Sequence, residues 1–142
     1  MTDHIDSLPW ESRYVNIPGE GALWSEAAGP LNGLPVLLVM GSMNPGLVWP
    51  PGLVRGLVEG GCRVVRYDHR DTGRSFLSDP ARPPYTLDDL TRDAMRVLDA
   101  WGLDRVAVVG WSMGGYIAQQ LAFEAPQRLS HLVLLGSSAD HR

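Results

Sequence analysis

Residues 106–122 read VAVVGWSMGGYIAQQLA, and the organisation of the chain follows from how that stretch turns. Val106 to Val109 is a compact β-branched run of the kind that makes a strand buried on both faces. Gly110-Trp111-Ser112-Met113-Gly114 follows directly, and residues 115–125 then have helical character until Pro126 stops them. A strand that becomes a helix within so few residues strains the residue at the bend and thrusts its side chain outward. Ser112 occupies that bend, and the glycines around it remove Cβ atoms where backbone segments must approach closely.

Upstream, Tyr14–Ile17 and Leu23–Glu26 flank Pro18-Gly19-Glu20-Gly21 and read as a β-hairpin. Val36 to Met40 is another buried strand, and residues 41–52, GSMNPGLVWPPG, form a long loop after it. Leu53, Val54, Leu57 and Val58 mark one face of a short helix closed by Gly60-Gly61. Cys62–Tyr67 is the next strand, running into DHRDTGRS at residues 68–75. In residues 86–101 an apolar stripe of Leu87, Leu90, Ala94, Val97, Leu98 and Trp101 recurs at steps of three and four, as a core-facing helix requires. Thr86 with Asp89 is a variant capping box, and Gly102 terminates the helix. Residues 129–136, LSHLVLLG, close the order as a final strand.

After the hairpin, strands and helices alternate. That order predicts an α/β fold: a mostly parallel sheet with flanking helices and an N-terminal β-hairpin, residues 1–13 being an arm and 14–142 belonging to one domain. Ligands bind such sheets at the C-terminal ends of the strands. The loops at 41–52 and 68–75 and the bend at 110–114 all belong to that end.

Composition narrows the partners. The chain carries 12 Arg, no Lys and 16 acidic residues, a formal charge of −4 without any block of one sign. Nucleic acid and anionic membrane are therefore not expected as partners. The N-terminus has neither a basic start nor an apolar core, and no aliphatic run is long enough to span a bilayer, so a cytoplasmic location is expected. Cys62 is alone, cannot form an internal disulfide, and reads as a core thiol. No cofactor and no metal are expected; the partner expected is a small-molecule ester.

The chemistry of the bend concerns acyl transfer. A serine hydroxyl needs a base to become nucleophilic, and the reaction needs donors for the developing oxyanion. The N–H of Met113 would lie at a helix N-terminus, where the partial positive charge favours an anion. A second N–H, that of Ser42, is expected from the loop after Val36–Met40, because Gly41 lets the backbone come close.

These features carry a resemblance. Gly110-Trp111-Ser112-Met113-Gly114-Gly115 resembles the nucleophile elbow of the α/β-hydrolase fold family, and Asp68 to Ser75 resembles its D-x-R-G-x-G-x-S turn. VMGSMNPGLVWP stands where the family has its His-Gly oxyanion loop, with Met40-Gly41 replacing His-Gly, so only the backbone role carries over, onto Ser42. Within the family, MGSMNPGLVWP, RYDHRDTGRS and LDAWGLDRVAVVGWSMGG are most similar to aclacinomycin methylesterase and its bacterial relatives. The resemblance implies a serine nucleophile, Ser112, with Ser42 and Met113 as backbone oxyanion donors.

The family's triad runs serine, acid, histidine, the last two on loops after later strands. His4 belongs to the polar arm. His131 is near the start of its strand, about 15 Å below the catalytic edge. His69 is at the correct edge but about two strands from the elbow and is expected to orient its turn. Asp140-His141 is at the correct edge, yet adjacent residues cannot easily serve one serine as acid and base. The expectation is thus a truncated α/β-hydrolase fold, inactive alone, with the last strand's edge open to self-association or to completion by another chain. Acyltransferase, thioesterase and cofactor-free haloperoxidase chemistry on the same fold, and a non-catalytic interaction module, are the alternatives. A dinucleotide-binding fold is disfavoured because no Gly-x-Gly-x-x-Gly follows the first parallel strand.

Overall fold

The computed structural model describes residues 8–138. Two strands open the chain, β1 (Glu11–Ile17) and β2 (Gly21–Ala28), paired antiparallel with Ile17 opposite Gly21. β3 (Leu34–Val39) leads through the loop and a short 3-10 turn (Gly46–Val48) into helix α1 (Pro51–Glu59) and then β4 (Cys62–Tyr67). A long connection reaches α2 (Leu87–Ala100), followed by β5 (Val106–Trp111), α3 (Met113–Glu124) and β6 (Leu129–Leu135). The strand order is β1-β2-β4-β3-β5-β6, and β4, β3, β5 and β6 all run parallel. The expected α/β architecture with its N-terminal hairpin is therefore present.

Alternation along the strands sorts the core into two layers. Leu37, Val39, Val65, Tyr67, Val106 and Val108 face α2 and α3, meeting Leu90, Ala94, Val97, Leu98, Ile117 and Leu121. Val36, Leu38, Val64, Ala107 and Val109 face the other way, against Val54 of α1 and Trp49 of the loop. Both faces of the parallel strands are thus covered, which explains why they read as unbroken apolar runs. β6 is the exception. Its Leu132, Val133 and Leu135 are exposed, and among the described residues it pairs with β5 alone.

Several boundaries differ from the expected ones. β1 begins at Glu11, not Tyr14, because residues 11–14 are exposed and leave no apolar alternation to read, while the Tyr14–Trp24 ring contact and the Glu11–Arg63 ion pair join residues far apart in sequence. β5 continues to Trp111, and α3 begins at Met113 where glycines had suggested a later start, Gly115. α1 starts at Pro51, within the expected loop, since proline at the first helical position sacrifices no hydrogen bond. Cys62 opens β4 half-buried, packed against the α1-side layer. The Thr86–Asp89 capping box is complete, with both reciprocal hydrogen bonds formed.

The turn after β4 is tied to α2 through a buried guanidinium. Arg70 donates from Nε to Asp93 Oδ2 and from Nη2 to Asp93 Oδ1, both at 2.8 Å, and from Nη1 to Glu20 Oε1 at 2.9 Å. Burial alone would lower the Arg70 pKa, but the two carboxylates outweigh it and hold the group well above its ordinary value. Removing a partner strands the charge in a site where water cannot replace it. Asp93→Ala is accordingly expected to lower the unfolding free energy by about 3 kcal/mol, the low end for a broken buried pair because Glu20 remains. Urea denaturation at pH 7 measures it.

Candidate active site

Ser112 sits between β5 and α3 at φ 55° and ψ −119°, a conformation that costs a non-glycine residue about 1–3 kcal/mol. Two backbone hydrogen bonds hold it there. Its N–H donates to Leu135 O at 2.9 Å, and its carbonyl accepts from Gly115 N–H at 2.8 Å. The side chain is exposed.

The reason the bend can be so tight is the absence of side chains on both sides of it. A Cβ at Gly114 would fall inside the carbonyl oxygen of Val39, and one at Gly110 inside the backbone of Gly114. Gly41 passes directly over the bend: a Cβ there would lie 3.3 Å from Ser112 Cβ and 3.9 Å from Ser112 Oγ. The loop residues Gly41-Ser42 and the first turn of α3 are therefore brought together around the hydroxyl. Met113 contributes the first amide of α3, which has no acceptor within the helix and carries the positive end of its dipole. Behind the bend, Trp111 packs on buried Trp49 with ring centroids 5.5 Å apart, fixing the same loop from its far end.

The histidines are placed as follows. His131 is exposed on β6 opposite Ala107, four positions below the Trp111–Leu135 pair, or about 13 Å from the edge that carries Ser112. His69 lies beyond β4, which is separated from β5 by β3. It is buried, and its Nε2 lies 2.7 Å from the Met40 carbonyl, where it donates. Burial holds its pKa below the ordinary 6.5, against the smaller opposing pulls of that hydrogen bond, Asp93 and Asp68. Neither is brought to the Ser112 hydroxyl. His4 and Asp140-His141 lie outside the described residues, among which no group of three His, Cys, Asp or Glu could hold a metal ion and no helix is long and apolar enough to cross a membrane.

Sequence reading missed the partners of the turn at 68–75. Asp68 Oδ1 accepts from Gly46 N–H at 2.7 Å, and its Oδ2 accepts from Arg74 N–H at 3.0 Å. Nothing local signals a carboxylate reaching the loop after another strand.

The model of the family described as alpha/beta hydrolase fold matches residues 34–142. The chain belongs to that family. It is 47% identical over 122 residues to the rhodomycin D methylesterase DnrP of Streptomyces peucetius, covering 85% of this chain and 41% of that protein. Among solved structures it resembles a hydrolase from Pseudomonas aeruginosa (30% identity, TM-score 0.83, 93% of this chain and 48% of that one). A proline iminopeptidase-related protein from Thermus thermophilus is similar as well, at 30% identity and TM-score 0.80, over 92% and 45% of the two chains. The chain thus spans less than half the length of these relatives.

Two measurements probe this α/β-hydrolase geometry. Gly114→Ala is expected to cost about 3 kcal/mol, because the new methyl meets backbone that cannot yield. Gly56→Ala, in α1 with open space around it, is expected to gain about 0.5–1 kcal/mol; urea midpoints compare the two. For His69, the folded chain stays neutral at pH values where the unfolded chain binds a proton. Stability is therefore complete above pH 6.5 and falls as pH drops below it, by at most about 1.4 kcal/mol per pH unit. Between pH 7.5 and 5.5 the wild-type urea midpoint should decline more than that of His69→Gln.

Proposed function

We propose that residues 34–138 form the nucleophile-bearing part of a serine hydrolase acting on carboxylic esters, a methyl ester foremost. The observation that carries this reading is Ser112, exposed at positive φ between a buried strand and a helix N-terminus, with Gly41 lying across it. In the intact enzyme the Ser112 hydroxyl attacks the ester carbonyl carbon while a base takes its proton. The carbonyl oxygen becomes an anion between the N–H groups of Ser42 and Met113, and collapse of that adduct expels the alcohol, which receives the proton. Water then attacks the acyl-serine and regenerates the hydroxyl as the free acid departs. Each oxyanion donor contributes about 10² to 10³ in rate.

The choice of a methyl ester is supported by the 47% identity to a protein named for methylesterase activity. Among the described residues His69 has its Nε2 engaged and His131 lies at the wrong end of its strand, so the base in this reading is a histidine from outside residues 8–138. The chain by itself is expected to turn esters over feebly or not at all.

A fluorophosphonate probe followed by intact-mass spectrometry tests this. The purified chain should be modified once, slowly, at Ser112, and added imidazole, standing in for that base, should raise the rate at least tenfold. Ser112→Ala should abolish the modification under both conditions. Equal labelling of wild type and Ser112→Ala, or no response to imidazole, would defeat the reading.

A further inference from the structure

We propose that His69 is a positioning residue for the oxyanion loop, acting with Asp68 to clamp that loop from the β4 side; this rests on the reading of the Ser42 amide as an oxyanion donor. The topology sets up the need. β3 lies between β4 and β5, so the loop leaving β3 has the elbow on one side and the turn after β4 on the other. From Met40 to Pro50 its own restraints are one short 3-10 turn, a turn at residues 42–43 and a hydrogen bond from Asn44 Nδ2 to the Ser42 carbonyl at 3.0 Å, none of which ties it to the sheet. A loop of that length does not by itself hold an amide to the fraction of an ångström that transition-state contacts require.

Two side chains from adjacent positions supply what the loop lacks. His69 Nε2–H donates to the carbonyl of Met40, the residue immediately before Gly41-Ser42, at 2.7 Å. Asp68 Oδ1 takes the N–H of Gly46 at 2.7 Å, farther along the same loop. The oxyanion segment is therefore restrained on both sides, with Gly41 abutting Ser112 between the two restraints. The clamp is itself braced. Thr72 Oγ1 donates to His69 O at 2.7 Å, Ser75 Oγ donates to Asp68 O at 2.6 Å, and Arg74 N–H donates to the second Asp68 oxygen.

Chemistry fixes which imidazole form does this. A carbonyl only accepts, so the proton is on Nε2, and Nδ1 is left as a buried lone pair without a partner among the described residues. Moving the proton to Nδ1 would break the bond to Met40 and gain none. The charged groups facing the ring are Asp68 of its own turn and Asp93 of α2, and Tyr67 packs edge-on with centroids 5.3 Å apart. The ring is thus built to remain a neutral donor aimed at one carbonyl. This role differs from that of a base, which would need its nitrogen lone pair directed at the Ser112 hydroxyl.

The test uses the whole chain labelled with 15N-histidine. Long-range proton–nitrogen spectra between pH 8 and 5.5 should show one histidine held as the Nε2–H tautomer throughout, absent from the spectrum of His69→Gln. An Nδ1–H tautomer, or an ordinary titration near pH 6.5, would overturn the proposal. Amide exchange gives an independent reading. His69→Phe should accelerate exchange at the buried amides of Gly41 and Gly46 at least tenfold while amides of β5 and β6 keep wild-type protection. His69→Gln, whose terminal amide can replace the Nε2 donor, should restore most of it, and the imidazole-assisted labelling of Ser112 should fall 10- to 100-fold in Phe and recover in Gln. Unchanged loop exchange in His69→Phe would also overturn the clamp. If the tautomer and exchange results hold while wild-type Ser112 does not label, the clamp stands and the nucleophile reading fails.

Discussion

The arrangement around Ser112 depends on one close contact, that of the first turn of α3 with the carbonyl ends of β3. At Gly114 the helix backbone lies so near the Val39 and Met40 oxygens that no other residue fits. This proximity draws α3 onto the sheet at its first turn, which in turn forces the residue joining β5 to α3 through a positive φ. An ordinary loop at this position would let the helix start farther out and the serine relax. The strain at Ser112 is thus the local cost of packing that the glycines make possible, and it is met by the hydrogen bonds to Leu135 and Gly115 and by the two apolar layers of the sheet.

A second level of organisation comes from the turn after β4. It concentrates the buried polar groups Asp68, His69, Arg70, Thr72 and Ser75 at the sheet edge that also holds the elbow. They face several elements: Asp68 and His69 the loop after β3, Arg70 the helix α2 and the hairpin, Ser75 the β2 backbone at Trp24, while Thr72 braces the turn itself. Burying such groups brings little net stability, since desolvation consumes much of what pairing returns. What they provide is geometry. An apolar turn would bury as well but could settle in many ways, whereas a carboxylate and a guanidinium with directed partners have few.

Much of this was legible in the sequence, and the limits have a physical cause. The α2 stripe from Leu87 to Trp101, the capping box at Thr86 and the buried strands all speak through periodicity over neighbouring residues, which sequence displays directly. Ser112 could be read because strand, glycines and helix adjoin it. Roles for Asp68 and Arg70 could not, because their partners Gly46 and Asp93 belong to other elements and share no spacing rule with them. The edge that carries His69 and an orienting role for it are legible in the sequence, but its acceptor, Met40, emerges only with β3 and β4 side by side. The start of β1 was invisible for a different reason: exposed edge residues pair through backbone groups that every amino acid possesses.

The strand order also dictates a sequence of events. The β1–β2 hairpin closes over a three-residue connection, and β3 finds β4 across only α1. β5 must return to β3 over α1, β4 and α2, a far larger loop and a correspondingly slower search. Ser112 takes its backbone conformation from partners on both flanks, Val39 on β3 and Leu135 on β6, so the bend can tighten only once β5 has docked between them. The reactive geometry is thus a product of long-range contacts made by β5 with both its neighbours, late to form during folding and early to be lost when the sheet parts between β3 and β5.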